Sequence, residues 1–199
     1  RSSLILITDS HRYSEEDLFS VLEKVLDHGV DAVLVREKAL SSAKLLALAS
    51  KLRQLTAAHG AMLYVHTQAD IASAVDADGV HLASADVANI PAVRQWLNDY
   101  GKIVSVACHN QQELQMAEEY GADFTFLSPL FPTASHPGAA ALGISEFKKL
   151  IEKTNLPVIA LGGINADNCR QLSGHGRAVI GAILAAEQPD IAAKVLSEV

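Results

Sequence analysis

The 199-residue sequence predicts an α/β chain folded as a single (β/α)₈ barrel. Three observations carry that prediction. From Leu4 onward, short β-rich apolar runs alternate with longer segments of helical period about eight times. Apolar residues make up 49% of the chain and aromatic residues only 5%, a composition suited to strands of Ala, Val, Ile and Leu buried under helices. No linker, second composition or low-complexity stretch divides residues 1–199, so one domain is expected, somewhat longer than the roughly 100–150 residues of a typical one.

The predicted strands are Leu4 to Thr8, Ala32 to Arg36, Met62 to His66, Gly79 to His81, Ile103 to Ala107, Phe124 to Leu127, Val158 to Ala160 and Ala178 to Ile180. The first helix opens at Ser14, carries Glu15 and Glu16 in its first turn and Leu18, Leu22, Val25 and Leu26 on one face, and stops by Gly29. Ser41 or Ser42 caps a helix bearing Leu45, Leu48, Leu52 and Leu55. Asn110 opens one that ends before Gly121, and Asn165 precedes a short one ending near Gly174. A local phrase recurs where helices give way to strands: Gly29-Val30-Asp31-Ala32, Ala77-Asp78-Gly79-Val80 and Gly121-Ala122-Asp123-Phe124. Strands buried on both faces and joined by helices imply right-handed βαβ units. Eight of them favour closure, with an open doubly wound sheet as the alternative.

The formal charge of −7, from 23 acidic and 16 basic side chains, comes without a basic cluster and argues against a nucleic-acid partner. No apolar run approaches the roughly 18 residues of a membrane span, and no basic leader precedes the first strand, so a soluble, cytoplasmic protein with no membrane partner is expected. Cys108 and Cys169 lie far apart without metal-ligand spacing and read as small core residues.

A barrel places its chemistry at the carboxyl ends of the strands. There Gly162 and Gly163 follow the seventh strand, and Ile180 and Gly181 end the eighth, offering amides near helix starts to a phosphate. Arg36 and Lys38 end the second strand as a bidentate fork and a point charge, with Glu37 between them to orient them. The long segment from Ser128 to Gly138 reads as a lid presenting Thr133, Ser135 and His136. His66, His81, His109 and His136 follow strands three to six, and one of them is expected to act as an acid, a base or a ligand. Asp86 is the carboxylate offered to Mg²⁺, whereas Asp70 reads as a solvated helix-start acid.

The motifs Leu6-Ile7-Thr8-Asp9, Val35-Arg36-Glu37-Lys38, Asp78-Gly79-Val80-His81-Leu82, Phe131-Pro132-Thr133 and Ala160-Leu161-Gly162-Gly163-Ile164 resemble, in order and over nearly the whole chain, the thiamin-phosphate synthase/TenI superfamily. The resemblance implies a TIM barrel. The synthase joins hydroxymethylpyrimidine pyrophosphate to thiazole phosphate with Mg²⁺ and releases pyrophosphate; TenI-type members aromatise the thiazole. By this resemblance Arg36 and Lys38 hold pyrophosphate, Asp86 is a metal-binding aspartate, Thr133 and Ser135 are the lid's hydroxyl pair, and Gly162, Gly163, Ile180 and Gly181 cradle the thiazole phosphate.

Departures from the family pattern are equally specific. Leu34 stands for a Gln, His66-Thr67-Gln68 for Asn-Asp-Arg, Ala107 for a Ser and His136 for the lid lysine, while Pro129 occupies the position of the histidine proposed for TenI catalysis. Each lost charge-assisted contact is worth about 1.5–3 kcal/mol, so the expected Mg²⁺ site is weakened. The segments Ala107-Cys108-His109-Asn110 and Ser135-His136-Pro137-Gly138 also resemble a synthase-like domain fused behind Nudix hydrolases. Three functions therefore stand side by side: a synthase-like transferase, a tautomerase using His66, His109 or His136 as base, and a non-catalytic phosphate-ligand-binding module serving a Nudix partner.

Overall fold

In a computed structural model, which describes residues 3–11, 13–133, 138 and 140–199, eight parallel strands close into a barrel in sequential order. They are β1 (Leu4–Ile7), β2 (Ala32–Val35), β3 (Met62–His66), β4 (Gly79–Leu82), β5 (Ile103–Cys108), β6 (Phe124–Leu127), β7 (Val158–Leu161) and β8 (Gly176–Val179). Closure is made by β1, where Ile5 stands opposite both Ala32 of β2 and Ala178 of β8. The barrel expectation holds, and the open sheet is excluded.

Outside the barrel lie α1 (Glu15–Leu26), α2 (Ser42–Ala58), α3 (Ala69–Ala74), α4 (Ile90–Leu97), α5 (Gln111–Glu119), α6 (Gly143–Ile151), α7 (Gly181–Leu184) and α8 (Pro189–Ser197). Ser14, Ser41 and Asn110 each accept a hydrogen bond from the backbone N–H three residues ahead, which satisfies a donor the first turn leaves open. Apart from one-residue differences at the ends of β1, β2, β4, β5 and β7, two expectations need correction. The last strand begins at Gly176 rather than Ala178, and the short helix expected after Asn165 is a single 3₁₀ turn over Cys169–Leu172. No helix among the described residues is long and apolar enough to cross a membrane.

Alternation along the strands builds two packed layers. Leu4, Leu6, Val33, Val35, Leu63 and Val65 face the helices, while Ile5, Ile7, Leu34, Tyr64, Phe126 and Ala178 fill the lumen. Three rings meet there: Tyr64 and Phe124 stand edge to face at 5.7 Å, and Phe126 lies 5.9 Å from Phe124. Cys108 and Cys169 are free and buried, and burial pushes the Cys108 thiol up to about 11, so both are the core residues expected.

The recurring aspartate has a structural reason. Asp31, Asp78 and Asp123 each precede an even-numbered strand and reach back to the odd-numbered strand before it. They accept from Leu4 N at 2.9 Å, Leu63 N at 2.7 Å and Val104 N at 2.7 Å. Each carboxylate satisfies a backbone donor at the amino end of a strand and so holds two neighbouring strands in register. Asp78 is further paired with Arg53 and Asp123 with Arg94.

Candidate active site

At the carboxyl ends of the strands a cavity of about 400 Å³ opens, reached from every strand between Ile7 of β1 and Ile180 just past β8. A larger cavity of about 790 Å³ opens at the opposite end, but its acids are committed: Asp27 binds His59 and Asp123 binds Arg94. The mouth differs. Arg36 and Lys38 line it, and among the described residues neither has a carboxylate within ion-pair distance, in contrast to Arg53 and Arg94.

Glu37 does not explain its neighbours in the expected way. It is 6% exposed and spends its carboxylate on the loop after β1, accepting from Ser10 N at 3.0 and 3.1 Å and from Ser10 Oγ at 2.5 Å. Arg36 is anchored separately, its backbone N–H donating to Thr8 Oγ1 at 3.1 Å.

The histidines divide by depth. His66 and His81 stand opposite each other in the β3–β4 register with ring centroids 6.2 Å apart. His81 is buried beneath the rim, its Nδ1 2.8 Å from Ser105 Oγ and its ring 4.3 Å from that of Phe126. His109 stands at the rim. Its Nδ1 lies 2.8 Å from Glu113 Oε2, which also accepts the His109 backbone N–H at 2.7 Å. With Nδ1–H given to the carboxylate, the neutral imidazole keeps its lone pair on Nε2.

Burial, then the nearby charges of Arg36 and Lys38, lower the His66 pKa to about 4; burial, then His66 and Arg36, lower that of His81 to about 3. Both rings are neutral at pH 7. Unfolded histidine titrates near 6.5, so below that pH the unfolded chain binds more protons, and stability falls from about pH 6.5 until the folded values near 4 and 3 are passed. Urea denaturation at pH 7 and pH 5 should show this loss, and His66→Asn should make the slope shallower. Equal midpoints at the two pH values would refute it.

Of the residues expected at the site, Arg36, Glu37, Lys38, His66, His81, His109 and Ile180 line this cavity. Thr133, Gly162, Gly163 and Gly181 are outside its lining, as is Asp86, half-buried in a 3₁₀ turn over Ser84–Asn89. Ser135 and His136 lie outside the described residues. On the side where a Cβ would stand, the two glycines after β7 meet the chain of residues 129–132. Leu130 N donates to Leu161 O at 2.8 Å and Phe131 N to Gly162 O at 3.0 Å, which pins the start of the lid segment across the end of β7.

Sequence reasoning missed the roles of Ser10, Ser105 and Glu113. Only Glu113 left a local signal, the spacing Asn110-x-x-Glu113 of a helix start. Three of the family departures, Leu34, His66 and Ala107, line the cavity itself. No group of three His, Cys, Asp or Glu among the described residues could hold a metal.

A family model for thiamine monophosphate synthase matches residues 4–186. The chain belongs to that family. Within it, a protein of Aquifex aeolicus (strain VF5) is 41% identical over 184 residues, covering 91% of this chain and 97% of that protein. The thiamine-phosphate synthase of Archaeoglobus fulgidus is 36% identical over 202 residues, covering 98% and 92%. The solved thiamine phosphate pyrophosphorylase of Pyrococcus furiosus superposes with a TM-score of 0.86 at 32% identity, covering 98% of this chain and 94% of that one. The resemblance drawn from the motifs is thus borne out at the level of the superfamily.

Proposed function

We propose that this member of the thiamine monophosphate synthase family is a transferase that joins hydroxymethylpyrimidine pyrophosphate to thiazole phosphate and releases pyrophosphate. One observation carries the reading: Arg36 and Lys38 line the strand-end cavity beside Asp9 and Glu37, yet among the described residues neither cation has a carboxylate within ion-pair distance, so their charge is available to an anion. The thiamine-phosphate synthases among its relatives support the substrate class.

In this reaction the C–O bond to pyrophosphate breaks, the electron pair leaves with the pyrophosphate, and the thiazole nitrogen supplies the pair for the new C–N bond. Charge therefore grows on the departing oxygens, and Arg36 and Lys38 are placed to stabilise it. Apolar lining from Leu34, Ala107 and Phe126 shields the cationic carbon from water, and His66, held neutral, does not add a third positive charge beside it. Ile180 and Gly181, with Gly162 and Gly163 and the lid hydroxyls of Thr133 and Ser135, are the proposed holders of the thiazole phosphate. For Mg²⁺, Asp86 is the proposed carboxylate, but it stands outside the cavity lining, and the described residues do not fit a protein-built metal site. An ion carried in on pyrophosphate would rely chiefly on the substrate's own oxygens.

Incubating the purified protein with both substrates and Mg²⁺ should yield thiamin phosphate and pyrophosphate in equal amounts. Binding of thiazole phosphate without product would instead mark a ligand-binding module. Thiazole aromatisation in EDTA, abolished by one His→Asn change at His66, His109 or His136, would mark a tautomerase.

A further inference from the structure

We infer that Glu37 is a positioning residue: through Ser10 it ties the β1–α1 loop to the β2–α2 loop and so sets the geometry in which Arg36 and Lys38 meet a phosphate or pyrophosphate group. The inference rests on the reading of Arg36 and Lys38 as anion ligands. Its basis is the placement of the tie. Asp9 and His11, on either side of Ser10, line the cavity, and so do Arg36 and Lys38 on either side of Glu37. The single carboxylate therefore joins the midpoints of two mouth-forming loops that are 27 positions apart in sequence.

Glu37 is buried, and a buried carboxylate persists only where donors satisfy it. Three donor contacts from one residue, Ser10, do so here, from its backbone N–H to both oxygens and from its hydroxyl to Oε2. This arrangement has a second effect. Because its carboxylate is committed to Ser10, Glu37 lines the mouth without pairing with Arg36 or Lys38, and both cations line it beside Glu37. The Arg36 backbone bond to Thr8 Oγ1 ties the same two chain segments a second time, two residues before Ser10. Positional restraint of this kind decides how well a bidentate fork and a point charge converge on one anion.

Titration calorimetry of the full chain with inorganic pyrophosphate tests the idea. Glu37→Ala should weaken pyrophosphate by about tenfold or more, the loss of charge-assisted bonds being felt at the ligand. Glu37→Gln keeps an acceptor for Ser10 N–H and offers its amide N–H to Ser10 Oγ, so affinity should stay within about twofold of the parent. If Glu37 merely repelled anions, both changes would tighten binding, and that result would overturn the inference.

Ser10→Ala, which leaves the carboxylate in place, should cost about fivefold and keeps the test alive should Glu37→Ala fail to fold. Unchanged affinity in Ser10→Ala would overturn the inference. A structural role alone would lower thermal stability equally in any background. A positioning role predicts instead that Glu37→Ala adds no further loss of affinity once Arg36 and Lys38 are alanine. Should Glu37→Ala bind normally while the Arg36/Lys38 double variant does not, only the positioning role falls; should both bind normally, the anion reading beneath it falls as well.

Discussion

Alanine at both Arg36 and Lys38 is expected to weaken pyrophosphate binding by roughly 10²–10⁴-fold and to remove transferase turnover with it. Two charge-assisted contacts at about 1.5–3 kcal/mol each set that range, since about 1.4 kcal/mol is a factor of ten. The loss should come without unfolding, because neither cation holds an ion pair among the described residues whose breakage would leave a buried charge behind. A second readout separates this outcome from general damage. Arg36 and Lys38 both lower the His66 pKa, so removing them should move it up from about 4, while burial, the larger cause, still holds it below 6.5. Calorimetry with pyrophosphate and an NMR titration of the histidine rings read the two effects. Parental affinity in the double variant would exclude the mouth as an anion site.

Much of the fold was legible because a strand in this barrel is apolar on both faces and needs no alternation to be seen. Met62–His66 and Phe124–Leu127 were bounded correctly on that basis. The last strand failed for a physical reason. Its first residues, Gly176 and Arg177, look like a turn, yet Arg177 is fully buried between barrel and helices, where its Nη2 donates to His175 O and Val199 O. An arginine that packs as core removes the apolar signal at the point where the strand begins. The turn over Cys169–Leu172 was misread because apolar residues three apart suit a 3₁₀ turn and an α-helix alike.

At the site, chain position revealed which strand end a residue occupies but not how deep it lies. His66 and His81 both line the cavity near strand ends, yet His66 is half-buried while His81 is buried against Ser105 and Phe126. Ties between distant segments were likewise invisible. Nothing local to Ser10 or Glu37 announces their contact, whereas Glu113 sits four residues from His109 on the same helix start and could have been found. The glycines after β7 were legible as special positions, but the sequence could not show what approaches them, and that changes what their replacement should do.

Gly163→Ala is expected to be the most damaging single change at the mouth. Gly163 has φ +64°, a conformation that costs an L-residue about 1–2 kcal/mol. An added Cβ would also lie 2.4 Å from Pro132 O and 2.9 Å from both Phe131 Cβ and Phe131 O, and backbone cannot swing aside as a side chain can. Overpacking of this kind costs a further 1–3 kcal/mol or so, and relief requires the segment from Phe131 to Pro132 to lift from β7. Gly60 supplies the control: its φ is +66°, but nothing stands within 4 Å of its missing Cβ. Gly60→Ala should therefore show the conformational cost alone, and the difference between the two variants in urea denaturation isolates the contact with the lid. Because Arg36 and Lys38 follow β2, three strands away from β7 around the barrel, Gly163→Ala should bind pyrophosphate nearly as the parent does while losing turnover. Equal stability losses in the two variants would mean that the lid does not press on Gly163.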